Sequence, residues 1–266
     1  YGIIVYDLNG AKLHDYKVGR INNVDIISSK SFEDKYVVAG TNRTYNSIDI
    51  YLFNSAGELE NMILRKEIPS LKDVYGVTFY RDDFNTYLFI SDKKGNVEQW
   101  NYNNDEVNSE IEFVRKLKFS SLVEGLVADE LKGKIYIGQE RKGIWELNAF
   151  PSFDSQKKLI FKKSKNFKPD FEGLALRDDG NGEGYLIASV QGSNGYLIID
   201  RKSLDAKIFF RIIDGDKIDG TTETDGIDVT SIKTLKFPNG FFIAQDDDND
   251  GLNQNFKLVD WNKILK

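Results

Sequence analysis

Asp219-Gly220-Thr221-Thr222-Glu223-Thr224-Asp225-Gly226-Ile227-Asp228-Val229 ends a series of related openings that sets the architecture of this chain. In each, a bulky or acidic residue, a glycine and an aliphatic residue introduce an apolar run. They are Tyr75-Gly76-Val77, Glu124-Gly125-Leu126, Glu172-Gly173-Leu174 and Asp225-Gly226-Ile227, with glycines 49, 48 and 53 residues apart. Recurrence at this period, with several short strands per unit, is the pattern of a propeller whose four-stranded blades bury their faces against neighbouring blades.

Around these openings the strand candidates fall in groups separated by turn residues. Residues 2–6 and 12–18 flank an Asn9-Gly10 turn and read as a hairpin, the outer half of a blade. The next unit starts at Asn22-Asn23-Val24-Asp25 and continues through 36–40, 47–53 and 62–64. Three further units comprise 77–80, 87–91, 97–102 and 111–119; 126–128, 135–138, 144–147 and 158–162; and 174–176, 185–189, 196–199 and 207–213. The last has only 227–232, 241–245 and 256–261. No long segment has a 3.6-residue period, so helix is expected to be nearly absent. The second strand of each unit is the most continuously apolar and should be buried on both faces.

A circular array needs closure, and partial blades at both ends are one way to achieve it. The expectation is therefore an all-β, six-bladed propeller of four-stranded antiparallel blades, with residues 1–266 forming a single domain. Strand arithmetic leaves two inner strands to precede Tyr1, so the sequence is expected to be an N-terminally truncated fragment.

Hydrophobic residues make up 40% of the 266, enough for one sizeable core. There is no cysteine, which excludes disulfides and thiolate metal sites and suits an oxidising exterior. No run approaches 18 apolar residues, so no membrane partner is expected, and the net charge of −6 argues against nucleic acid. A soluble monomer is the expectation.

In an antiparallel blade the start of strand one and the end of strand two lie at the same edge, so such residues from successive blades gather on one face. Strand-one starts supply Asn22, Asn23, Asp25, Tyr75, Glu124, Glu172 and Asp225. Strand-two ends supply Asn42-Arg43, Asp92-Lys93-Lys94, Gln139-Glu140, Gln191 and Asp246-Asp247-Asp248-Asn249-Asp250. Cations come from the earlier units and carboxylates from the later ones. Taken singly each is an ordinary loop charge; as a set they call for an anion beside the cations and a hard cation beside the acids. Oxygen donors without His or Cys select calcium or magnesium, and the number of acids favours calcium.

Other motifs carry less. Asp246 to Gly251 opens like an EF-hand loop, but Lys257 stands where a bidentate Glu is needed and the flanks are strands. The only histidine, His14, lies on an outer strand, so no Ser-His-Asp arrangement can be built on the face. The glycine-rich 178–184 lacks the Lys and helix of a phosphate-binding loop.

At Asn22-Asn23-Val24-Asp25, Thr41-Asn42-Arg43, Val74-Tyr75-Gly76, Glu124-Gly125-Leu126, Phe171-Glu172-Gly173-Leu174, Gln191-Gly192, Asp219 to Val229, Ala244-Gln245-Asp246 and Asn253 to Lys257, the chain resembles the β-propeller (alkaline) phytases. The likeness runs in register over essentially all 266 residues. It implies a six-bladed, calcium-dependent, typically secreted phosphoric monoester hydrolase acting on calcium-bound inositol hexakisphosphate (phytate). Water activated by bridging calcium ions would cleave at one phosphate site, and an adjacent phosphate site would supply affinity. By that resemblance Arg43, Tyr75 and Lys93 are phosphate contacts with Lys94 beside them. Glu124, Glu140, Glu172 and Asp225 are ligands of catalytic calcium, Glu172 counting among the catalytic residues. Asp219, Asp246 and Asn249 resemble ligands of calcium near the central channel. Lys94 and Gln139 depart from the family, standing where its members often carry acids.

Two other classes stay open at this stage: a six-bladed calcium lactonase, which would not need Arg43 and Lys93, and a non-catalytic propeller that binds a phosphorylated ligand or a protein partner.

Overall fold

The computed structural model describes residues 1–103, 109–151, 156–163, 170–216, 218–249 and 251–265. The chain forms two compact units, Tyr1–Glu124 and Gly125–Lys266. The first holds a hairpin of β1 (Ile3–Tyr6) and β2 (Lys12–Tyr16) and two four-stranded sheets. These are β3 (Ile21–Ser28), β4 (Lys35–Asn42), β5 (Ser47–Asn54) and β6 (Leu59–Glu67), then β7 (Val74–Arg81), β8 (Thr86–Asp92), β9 (Asn96–Asn103) and β10 (Glu110–Lys118).

In the second unit β11 (Val123–Asp129), which begins just before the division, joins β12 (Lys134–Gln139), β13 (Gly143–Asn148) and β14 (Lys158–Lys162). It is followed by β15 (Phe171–Gly180), β16 (Glu183–Val190), β17 (Gly195–Asp200) and β18 (Ala206–Phe210). A three-stranded sheet of β19 (Ile227–Thr230), β20 (Phe241–Asp246) and β21 (Asn255–Asp260) ends the chain. Among the described residues the helices are two short 3-10 turns, Gln191–Ser193 and Trp261–Lys263.

Within each sheet every strand pairs with the next in sequence, the pattern of propeller blades. Among the described residues the blades number five, not the expected six: four of four strands and one of three. The difference lies in the first hairpin, which among the described residues forms a two-stranded sheet of its own. Its alternate residues Ile3 and Val5, with Tyr16, pack on Tyr51 and Phe53 of β5, and the Tyr16 hydroxyl accepts from Leu59 N at 2.9 Å.

The second strands form the centre of each blade, as their composition predicts. All of β8 is buried, and Val37, Ala39, Ile135, Tyr136, Ile137, Leu186, Ile187 and Ala188 are fully enclosed.

Two of the glycine-containing openings prove to be β-bulges. In β7 the register passes from Val74–Asp92 to Val77–Ile90, so Tyr75 and Gly76 together oppose Ser91. In β15 it passes from Phe171–Val190 to Leu174–Ala188, so Glu172 and Gly173 oppose Ser189. Asn22 and Asn23 oppose Thr41 in the same way. The hydroxyl opposite each bulge accepts from the bulge backbone: Gly76 N to Ser91 Oγ and Gly173 N to Ser189 Oγ, both 2.8 Å, and Asn23 N to Thr41 Oγ1, 3.2 Å. That hydroxyl then donates to a carbonyl of the following blade, Thr41 to Tyr75 O at 2.5 Å, Ser91 to Val123 O at 2.8 Å and Ser189 to Asp225 O at 2.8 Å.

Glycine is required here by close approach. A Cβ on Gly76 would lie 2.0 Å from Glu124 O, one on Gly125 2.0 Å from Glu172 O and one on Gly173 2.5 Å from Asp225 O, whereas one on Gly226 would meet nothing within 4 Å. Gly125→Ala is accordingly expected to cost about 1–3 kcal/mol through overpacking, and Gly226→Ala to stay within about 0.5 kcal/mol of the parent. Chemical denaturation midpoints of the two variants check the contrast.

Candidate active site

A bulge turns the side chain at its tip out of the strand's alternation and aims it off the sheet edge. In the first unit this puts Tyr75 beside the ends of β4 and β8, from which Arg43 and Lys93 project. The Lys93 ammonium lies 4.7 Å from the centre of the Tyr75 ring. Both cations address a residue absent from the sequence-derived set, Asp73. Arg43 Nε donates to Asp73 Oδ1 at 2.7 Å and Nη2 to Oδ2 at 3.0 Å, and Lys93 Nζ stands 3.8 Å from Oδ2. The Asp73 hydrogen bonds hold the Arg43 guanidinium above its ordinary pKa, and the Arg43 hydrogen bonds draw the Asp73 carboxyl below the usual carboxylate value. Lys94 does not join them: its side chain is exposed, and its backbone N–H is spent on Asp92 at 2.8 Å.

The acids assemble on the sheets β11–β14 and β15–β18. Glu124 is the second residue of β11, Glu140 follows the last residue of the paired strand β12, and Glu172 is the second residue of β15. One carboxylate oxygen from each lies within 4.8 Å of the others, with Glu124 and Glu172 only 9% and 5% exposed. Three carboxylates at that separation repel by on the order of 3 kcal/mol per pair at an effective dielectric of about 20. The donor set is all oxygen, hard and anionic, and fits a hard divalent cation. Asp225 lies outside this trio; its Oδ1 accepts from Gln191 Nε2 at 2.5 Å and its backbone N donates to Gln245 Oε1 at 2.9 Å.

The remaining sequence-derived acids have a different environment. Lys257 Nζ donates to Asp219 Oδ1 at 2.6 Å and sits 3.0 Å from Asp246 Oδ2, while Asp246 Oδ1 accepts from Thr222 N at 3.0 Å. Lys257 lowers the Asp219 pKa through this bond. A protein ammonium therefore sits between the two acids. Asn249 closes a turn, donating through Nδ2 to Asn253 O at 3.0 Å and accepting from Leu252 N at 2.8 Å. Asp250 lies outside the described residues. The signal for Lys257 was present in the sequence as the residue that breaks the EF-hand pattern. Asp73 had none beyond being an acid two residues before a tip.

A sequence profile described as Phytase matches residues 1–266. The chain is also 35% identical, over 282 residues, to the 3-phytase of Bacillus subtilis (strain 168), covering 100% of this chain and 74% of that protein. This chain belongs to the phytase family. As a family member it is a phosphatase-type hydrolase. Solved structures show likeness of fold alone. A chain of a nidogen/laminin complex superposes with a TM-score of 0.55 at 13% identity, covering 98% of this phytase and 89% of that chain. A functionally unknown protein from Desulfotomaculum acetoxidans DSM 771 gives 0.55 at 13%, covering 77% and 63%. Among the described residues no helix of this phytase is long and apolar enough to cross a membrane.

Removing Lys257 would leave the fully enclosed Asp246 carboxylate facing Asp219 with no cation between them. Lys257→Met should therefore lower the melting temperature by several degrees, and Lys257→Arg by less, in differential scanning calorimetry at neutral pH.

Proposed function

We propose that this chain is a calcium-dependent phytase that hydrolyses phosphomonoesters of calcium-bound inositol hexakisphosphate outside the cytoplasm. The observation that carries the reading is the trio Glu124, Glu140 and Glu172, an all-oxygen anionic donor set within 4.8 Å in a member of the phytase family. The name of the Bacillus subtilis relative supports the substrate.

Glu124, Glu140 and Glu172 would hold calcium, with Asp225 as a further donor beside them. Asp219, Asp246 and Asn249 are left out of this proposed set because Lys257 already supplies a positive charge between the two acids. When bound, calcium supplies a lowered pKa for a coordinated water and charge neutralisation for an in-line displacement at phosphorus. The protein's own groups handle the phosphates. Arg43 presents planar donors suited to phosphate oxygens, Lys93 a point charge held against the face of Tyr75, and Lys94 an exposed charge that draws in a polyanion.

Glu172→Gln and Glu124→Gln should each abolish release of inorganic phosphate from calcium phytate while leaving far-ultraviolet circular dichroism unchanged. Near parental turnover in both would overturn the assignment. Chelation should also lower the melting temperature of calcium-loaded protein, because an ion bound only by the native state stabilises it by mass action. A melting curve that does not move in excess chelator would remove calcium from the proposal.

Arg43→Lys keeps the charge but loses the planar fork, so kcat should fall along with kcat/KM. Steady-state kinetics of Arg43→Lys and Lys93→Ala test the phosphate contacts apart from the metal.

A further inference from the structure

We infer that Asp73 is a positioning residue for phosphate recognition, a fixed anion that orients Arg43 and Lys93 without being displaced by substrate. The inference rests on the reading that those two cations contact phosphate.

Asp73 is held from both sides. The Lys72 backbone N donates to Asp92 Oδ2 at 3.1 Å and the Val74 backbone N to Asn46 Oδ1 at 3.1 Å. Asp92 is fully enclosed, and its Oδ1 also accepts from Lys94 N and Asn96 N. Asn46 is pinned in turn, donating to Ile68 O at 3.0 Å and Leu71 O at 2.9 Å. Between these anchors Asp73 adopts a left-handed φ of +64°. Asp and Asn tolerate that region best among residues with side chains. The Asp73 backbone is therefore fixed, and the two long cationic side chains are arranged around the carboxylate it presents.

The geometry on Arg43 is specific about which donors remain. A guanidinium has five N–H donors and two bidentate edges. Asp73 takes the side edge, Nε with Nη2. The end edge, Nη1 with the second hydrogen of Nη2, remains for an incoming phosphate; the hydrogen bond it makes among the described residues is a long one of 3.5 Å from Nη1 to Asn22 Oδ1. Phosphate and Asp73 can thus bind the same guanidinium at once, and no exchange of one for the other is needed. With two cations on one carboxylate, the group keeps a net positive charge for the substrate.

This arrangement trades affinity for orientation. Removing the Asp73 charge would make the pair more attractive to anions but leave its direction unset, and misplacement of a phosphate by about 1 Å can cost up to a hundredfold in rate. Asp73→Asn is nearly isosteric and suits the left-handed backbone. It should lower kcat on calcium phytate by about tenfold or more, leave KM unchanged or lower, and make product phosphate inhibit at a lower concentration, with little change in melting temperature. Asp73→Gly, which also accepts the backbone conformation, should behave alike and serves if the first variant is unstable. An unchanged kcat in both, or a KM that rises in step with a falling melting temperature, would overturn the inference. Arg43→Lys and Lys93→Ala run alongside separate the two levels. If those variants retain parental kinetics, the phosphate-contact reading fails. If they are impaired while Asp73→Asn and Asp73→Gly are not, only the role of Asp73 fails.

Discussion

The repeated link between a bulge, a hydroxyl and the backbone of the next blade is the constraint on which the structure depends. At each such point one short side chain has two tasks: it accepts from the extra N–H that the bulge leaves out of the ladder and donates to a carbonyl of the following strand-one opening. Ser91 and Ser189 do both at normal hydrogen-bond lengths. An unpaired backbone N–H enclosed at a sheet edge would be costly, so the bulge is tolerable only with this partner. The glycine at the tip then lets the neighbouring carbonyl come within a distance that no Cβ permits. Blade spacing and site geometry are thereby set by the same few atoms.

Elsewhere the scaffold gathers donors around the charges it encloses. Asp49, fully buried, would have its pKa raised by burial, yet Arg65, Asn42, Ser47 and Tyr51 together bring it below the ordinary value. Arg201 is similarly enclosed, bidentate to Asp129 at 2.8 and 2.7 Å with Asp178 at 2.7 Å. Asp25 ties β3 to β7 by accepting from Thr78 Oγ1 and Phe79 N. Asp49 and Arg201 are neutralised in place by ion pairs, and Asp25 is met by neutral donors. The trio Glu124, Glu140 and Glu172 is the opposite case, since it brings like charges together at the edge of two blades.

The period of the openings and the apolar second strands were legible because burial writes itself into composition at fixed spacing. The number of blades was not. Strand counting cannot tell an outer half-blade from a hairpin that lies against a neighbour, and Ile3, Val5 and Tyr16 suit either role. The tip acids Glu124 and Glu172 and the exit residues Arg43, Lys93 and Glu140 could be read from antiparallel pairing alone. Asp73 could not, because its importance comes from a left-handed backbone and from two cations far away in sequence. Lys257 was visible as a misfit, but only coordinates show that its ammonium reaches Asp219 and Asp246.

The bulge link uses nothing of the tip residue except its main chain. Asn22, Tyr75 and Glu172 therefore stand on the same backbone frame as an amide, a phenol and a carboxylate. The frame is indifferent to the chemistry it displays. Ligand preference can accordingly be rewritten one blade at a time, much as type is changed in a fixed forme, without redrawing the interior that holds the blades.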